Sequence, residues 1–263
     1  MKHLLGEMTW KEAAKAYRSY DFVALVAGSH EQHSTHLPLL TDSLLGEHFA
    51  KRLVTEAEGE DINILLLPTL WLGYSGEHAN YPETITLRPN TLENVLIDIA
   101  SSLKHHGVKR FLLINSHGGN IPVLQLAVDR IEREVGLQTH LLNFTSLGSF
   151  PKKVELKERP EPAKMNHAGA LETALLLKAR KDLVQMKLAV PPKLEPLAIT
   201  RGWWGARYWE DFTSTGASDD PRLAEPERAT LFYDKAVSNS IYALKKDLVQ
   251  EKNRRARGSK KTK

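Results

Sequence analysis

The stretch "DFVALVAGSHEQHSTHLPLLTD", Asp21 to Asp42, decides the fold class. Its opening, "FVALVAG" from Phe22 to Gly28, is a β-rich apolar run that ends in glycine and reads as a strand buried on both faces. The remainder crowds three histidines, Glu31 and Asp42 into the place where a strand turns into a loop, and helical periodicity follows in "TDSLLGEHFAKRLVTEA". A fully apolar strand followed by an amphipathic helix is the unit from which parallel sheets are built.

The same alternation continues outward from that unit. "INILLLPTLWLG", Ile62 to Gly73, reads as a second strand and is followed by the polar loop "YSGEHANYPETIT". "TLENVLIDIASSLKHHG" places Leu92, Val95, Leu96, Ile99 and Leu103 on one helical face and stops at Gly107. "KRFLLIN" is a third strand leading into "SHGGN". "IPVLQLAVDRIEREVG" is a helix with proline in its first turn, and "QTHLLNF" is a fourth strand. Upstream, "TWKEAAKAY" carries Thr9 as N-cap with Glu12 at capping-box spacing. Downstream, "HAGALETALLLKARKDL" and "PERATLFYDKAVSNSIYALKKDLVQEK" are helices. The pattern predicts an α/β fold with a largely parallel sheet covered on both faces, as a single domain over residues 1–250. The proline- and charge-rich segment 149–166 is too polar for a core and is expected to be a flap or lid.

Composition narrows the chemistry. With 263 residues, 41% hydrophobic and 26% charged, the chain has ample material for a core, and general disorder is excluded. There are no cysteines, so disulfides and thiolate zinc sites are excluded and any metal must be held by imidazole and carboxylate. The N-terminal residues lack the apolar core of a signal peptide, and no run approaches the roughly 18 residues of a membrane span. A cytoplasmic protein without membrane partners is expected. The last thirteen residues, "EKNRRARGSKKTK", hold seven basic groups and one acid, a charge of +6 against +4 for the whole chain, so the rest carries −2. No aromatic residues interleave those charges, and residues 251–263 read as a frayed, solvated tail rather than a nucleic-acid site.

Ligands of open parallel sheets bind at the carboxyl ends of the strands. The three segments richest in histidine, acid and glycine follow the first three strands and therefore converge on one edge. Glu31 and His33, two apart, point to the same side in an extended chain. Asp42 opens a helix, where it fits an N-cap with Thr41 as well as a cation ligand. His117 stands between a strand end and two glycines, and Glu172 sits in the first turns of an otherwise apolar helix. Each has a bland alternative taken singly, but together they make up the oxygen and nitrogen shell of a zinc or manganese site.

The segments "GSHEQHSTHLPLLTD", "NSHGGN" and "HAGALET" resemble, in order and spacing, the signatures of the creatininase family, the creatinine amidohydrolases and their relatives. With the "TW" near the start and the "YSGEH" loop, the likeness covers most of the first 180 residues. It implies a three-layer α/β/α sandwich, a homo-oligomer (usually a hexamer) and two divalent cations, Zn²⁺ or Mn²⁺ with Fe²⁺ as a further option. By motif position, Glu31 and His117 would hold one ion, His33 the other, and Asp42 both. Creatininase draws a further glutamate from the position that is Gly119 here, and Glu172 looks like its replacement. His167 matches the proton-transfer histidine. His36, His78, Gly118, Gly119 and Asn120 fall in the surrounding motifs as supporting or substrate-facing residues.

The expected activity is hydrolysis of a C–N bond in a small molecule (a cyclic amide, formamide or related group) by metal-activated water, with His167 moving a proton to the leaving nitrogen. No serine elbow or cysteine nucleophile competes with this apparatus. Two alternatives are a peptide-trimming metalloprotease within the family and a metal-binding scaffold without turnover. Departures from the family pattern concern the pocket. Glu83 in "YPETIT" stands where the family has glycine, "TGASDDP" keeps only a loose likeness to a G-D-P segment, and Trp203, Trp204, Tyr208 and Trp209 are candidates for a pocket wall or a subunit contact.

Overall fold

Phe22–Ala27, six consecutive buried residues, form the strand expected from "FVALVAG" and lie at the centre of the sheet. The computed structural model describes residues 3–147, 167–195 and 208–261, with 251–261 as backbone only. In chain order the main elements are α1 (Trp10–Ala16), β1 (Phe22–Ala27), α2 (Thr41–Glu58), β2 (Ile64–Leu66), α3 (Pro89–His105), β3 (Arg110–Asn115), α4 (Ile121–Arg130), β4 (Gln138–Asn143), α5 (Phe144–Leu147), α6 (Ala170–Arg180) and α7 (Pro226–Lys261). The strands form one sheet in the order β2-β1-β3-β4, and every pairing is parallel.

Alternate residues of β1 feed two cores, as a strand buried on both faces requires. Phe22, Ala24 and Val26 pack with Phe49 and Leu53 of α2, Leu175 of α6 and Phe232 and Val237 of α7. Val23, Leu25 and Ala27 pack with Leu92 and Leu96 of α3 and Leu124 and Ala127 of α4. The result is the three-layer α/β/α sandwich, with α2, α6 and α7 on one face and α3 and α4 on the other. The chain leaves β1 toward β2 on one side and returns to β3 on the other. A crevice therefore opens at the carboxyl ends of β1 and β3, where the strand order reverses.

Four local expectations meet the structure as follows. Thr9 caps α1 as expected, accepting the Glu12 N–H while the Glu12 carboxylate accepts the Thr9 N–H at 2.7 Å. The second strand is far shorter than 62–73. Leu67 and Leu70 still donate to β1 carbonyls, but Pro68 between them has no N–H and interrupts the ladder after Leu66. α7 runs through the basic stretch, so the backbone read as frayed from residue 251 is helical to Lys261. The expected flap at 149–166, and Trp203 and Trp204, lie outside the described residues. Among the described residues no helix is long and apolar enough to cross a membrane.

Candidate metal centre

The first wall of the site is the loop between β1 and α2. Glu31 and His33, both fully buried, bring ligand atoms to within 4.8 Å of each other, as their spacing predicts. His33 Nδ1 lies 3.2 Å from the Glu31 carbonyl, so the ring donates there and leaves Nε2 facing the site. Asp42 does not cap α2; the N-cap is Leu40, without a side-chain bond, and Thr41 Oγ1 donates to the Pro38 carbonyl. Asp42 instead accepts a 2.5 Å hydrogen bond from Ser29 Oγ and turns its carboxylate into the crevice. Gly28 lets the strand end pass close enough to α2 for this, because a Cβ there would collide with Ser43.

The second wall follows β3. Asn115 donates to the His117 carbonyl at 2.8 Å and accepts from its N–H at 3.2 Å, which fixes the turn that presents the imidazole. His117 Nε2 lies 3.2 Å from Glu31 Oε2, and Nδ1 lies 3.3 Å from Asp42 Oδ2. The third wall is α6, whose first turn brings Glu172 Oε2 to 3.8 Å from His33 Nε2, with Asp42 Oδ1 3.7 Å from the same nitrogen. His167 sits just before that helix with Nδ1 3.7 Å from Glu31 Oε1.

Three buried donor groups result, each with its ligand atoms within 4.8 Å of one another: Glu31–Asp42–His117, His33–Asp42–Glu172, and Glu31–His33–His167. Their chemistry fits a divalent cation. Both Glu31 carboxylate oxygens and His33 Nε2 are buried without a hydrogen-bond partner, an arrangement that is costly unless something else meets those lone pairs. With only the chain's own groups present, protons serve this purpose. Burial pushes the Glu31 carboxyl up to about 8 and Glu172 up to about 7. His33 rises to about 9 and His117 to about 10, because their carboxylate neighbours outweigh the burial that opposes their charge. Burial would raise Asp42, yet His33 and His117 hold it well below the usual carboxylate range.

The remaining motif residues have distinct places. His78 and His167 stack with ring centroids 4.4 Å apart, and Trp209 packs on both at 5.1 and 4.9 Å. Burial depresses His78 to about 3 and His167 well below its ordinary value. Gln32 Nε2 lies between His78 Nδ1 at 3.0 Å and His167 Nε2 at 2.9 Å. His36 reaches α6 through Thr173 Oγ1 at 2.8 Å. Asn120 is buried and faces backbone rather than a substrate space, accepting from Tyr74 N–H at 2.8 Å and donating to the Gly28 carbonyl at 2.9 Å. Gly118 is exposed with open space where a side chain would start. At Gly119 a Cβ would stand 2.5 Å from the Tyr74 carbonyl, His117 Nε2 and Glu77 Oε1, so the backbone here refuses the side chain that a glutamate ligand would need.

Ser29, Gln32, Ser218 and Asp219 were not singled out in the sequence as site residues, whereas Trp209, a candidate for a pocket wall or a subunit contact, lies against His78 and His167. The available signal was that Ser29 and Gln32 stand inside the first matched motif and that the "SDD" triplet stands in a segment with a loose likeness to the family's G-D-P. Glu83 is exposed, with a left-handed backbone at φ +63, and does not enter the site.

The family profile described as "Creatininase: Creatinine amidohydrolase" matches residues 6–244. The chain belongs to the creatininase family. A creatinine amidohydrolase of Pseudomonas putida is 31% identical over 208 residues, covering 73% of this chain and 78% of the relative. A mycofactocin precursor peptide peptidase of Mycobacterium tuberculosis is 28% identical over 179 residues, covering 66% of this chain and 64% of that one. Among solved structures, a mutant creatininase described as "Zn-Zn type" superposes with a TM-score of 0.81 at 25% identity, covering 94% of this chain and 98% of the other. This creatininase-family chain thus shares with its relatives a fold and a site suited to a divalent metal.

Proposed function

We propose that this chain is a metal-dependent amidohydrolase that cleaves a C–N bond of a small molecule, with two cations of the Zn²⁺ or Mn²⁺ kind. Glu31, Asp42 and His117 would hold one ion, and His33, Asp42 and Glu172 the other. The chemistry such cations would supply is a water whose pKa is lowered toward ~7 and a polarised carbonyl next to the scissile nitrogen. The observation that carries this reading is a pair of buried donor triads sharing one carboxylate, in which both Glu31 oxygens and His33 Nε2 are buried without a hydrogen bond.

The chain's own groups supply the rest. With its Nε2–H donated to the Gln32 backbone carbonyl at 2.9 Å, His167 keeps Nδ1 as the acceptor nitrogen, turned toward Glu31 and the reacting space. Its depressed pKa keeps that nitrogen neutral, able to take a proton from the attacking water and pass it to the leaving nitrogen as the C–N bond breaks. Trp209 and His78 cover the back of the ring, which excludes water from that side. Gly119 cannot supply the glutamate of the creatininase pattern, and the proximity of Glu172 to His33 and Asp42 supports Glu172 as the replacement at the second ion. A complete second triad favours turnover over a scaffold that has lost an ion.

The test is metal analysis joined to a hydrolysis screen of the loaded protein against creatinine, formamidopyrimidines, small lactams and short peptides, with Asp42→Asn as blank. About two equivalents of metal per chain are expected, with hydrolysis absent in the blank. Equal activity in the blank overturns the mechanism. A homo-oligomer, a hexamer by family resemblance, is the expected assembly, checked by light scattering.

A further inference from the structure

The helix that carries Glu172 has no cap of its own. The N-cap of α6 is Gly169, which has no side chain, and the first free N–H of the helix, on Ala170, donates to Asp219 Oδ1 at 2.5 Å. That acceptor comes from 49 residues further along the chain. A Cβ on Gly169 would collide with the Asp219 carboxylate, so glycine is what permits the approach.

The turn that supplies Asp219 grips the site at three other points. Ser218 Oγ accepts the His167 N–H at 2.8 Å, and the Ser218 N–H donates to the His167 carbonyl at 2.9 Å. The Gly216 carbonyl accepts from Gln32 Nε2 at 3.3 Å and from Trp209 Nε1 at 2.9 Å. Between the Ser218 and Asp219 contacts lies Ala168 at φ +49, a left-handed conformation that an L side chain disfavours, with its N–H on Glu172 Oε2 at 2.6 Å. A turn held in that shape needs fastening on both sides, and Ser218 and Asp219 provide it.

We propose that Asp219 is a positioning residue for the second ion: by capping α6 from a distant turn it sets where Glu172 places its carboxylate opposite His33 and Asp42. This rests on the reading of Glu172 as a ligand. The role belongs to the hydrogen bond and not to the charge, because the negative charge of Asp219 works against ionised Glu172. An asparagine, which keeps the acceptor oxygen and drops the charge, should therefore serve, whereas alanine should not.

The experiment measures Zn²⁺ bound per full-length chain by atomic emission across buffered free Zn²⁺ concentrations, with the thermal midpoint recorded for each protein. Asp219→Ala is expected to keep one tight ion and bind the second about 10- to 100-fold more weakly, with Asp219→Asn close to the natural chain. Gly169→Ala, which pushes the carboxylate away without removing it, should reproduce the selective loss and serves where Asp219→Ala folds poorly. Glu172→Gln is the reference, expected to lose the same ion. If it loses one ion while both Asp219→Ala and Gly169→Ala bind two as tightly as the natural chain, the positioning role is wrong and the ligand reading survives. If Glu172→Gln loses nothing, both fail. Equal weakening of both ions in Asp219→Ala and Gly169→Ala marks a merely structural cap. Weakening by Asp219→Asn as large as by Asp219→Ala points to charge. Either of these last results overturns the proposal.

Discussion

The loop after β1 and the loop after β3 meet at the same end of the sheet and treat buried polar groups in opposite ways. In the first, both Glu31 oxygens and His33 Nε2 are sealed from water and left without hydrogen bonds. In the second, Asn115 and Asn120 are equally buried, but their amides are engaged with the backbone of three segments, including Gly28, Tyr74 and His117. Burying a polar group costs stability unless it is partnered. The two asparagines therefore read as scaffold that fixes the presentation of His117, and their desolvation cost is returned in fixed geometry. The first loop reads as a receiver, whose cost is offset only when a cation or a proton arrives.

That contrast predicts different failures for mutations on the two sides. The largest effect is expected for Asp42→Asn, with hydrolysis reduced on the order of 10³-fold and metal content falling in protein that remains folded. Metal content and hydrolysis equal to those of the natural chain would place Asp42 with the scaffold. Asn120→Ala should do the reverse, losing about 2–4 kcal/mol in urea denaturation because the Tyr74 N–H and Gly28 carbonyl lose their partner, with metal stoichiometry preserved where the protein is folded.

A third test separates protons from cations at the receiving loop. The Glu31 carboxyl binds a proton more tightly folded than unfolded, so ionising it destabilises the chelated protein as pH rises from its ordinary value of 4.5 through about 8. The raised His33 and His117 contribute stability that is present below their unfolded pKa and is lost as pH rises through about 9 and 10. Both signs agree. The chelated protein should melt lower at pH 9 than at pH 6 by several degrees, and added Zn²⁺ should raise the midpoint more at pH 9. A chelated protein more stable at pH 9 would break the picture. The smallest effect lies outside the comparison, as its control. Glu83→Gly should stabilise by about 1 kcal/mol through relief of its φ of +63, with metal content and hydrolysis unchanged.

Much of the fold was legible because each strand is an apolar run bounded by turn residues, and alternation with amphipathic helices leaves few topologies. The failure at residues 67–73 came from one residue, Pro68, whose missing N–H apolarity alone does not reveal. Asp42 was ambiguous locally because a helix start welcomes a carboxylate whatever its purpose; only the Ser29 contact shows which way it turns. The roles of Gln32 and Asp219 were not legible. They depend on contacts such as Gln32 with Gly216, 184 residues apart, which no local periodicity encodes.

Trp209 gives the centre an optical consequence. Its indole, 8% exposed, lies against the rings of His78 and His167 at the edge of the donor groups. Charged imidazole quenches indole emission and neutral imidazole does so far less. A variant retaining this tryptophan alone would report protonation or ligand arrival by its own fluorescence, with no dye attached.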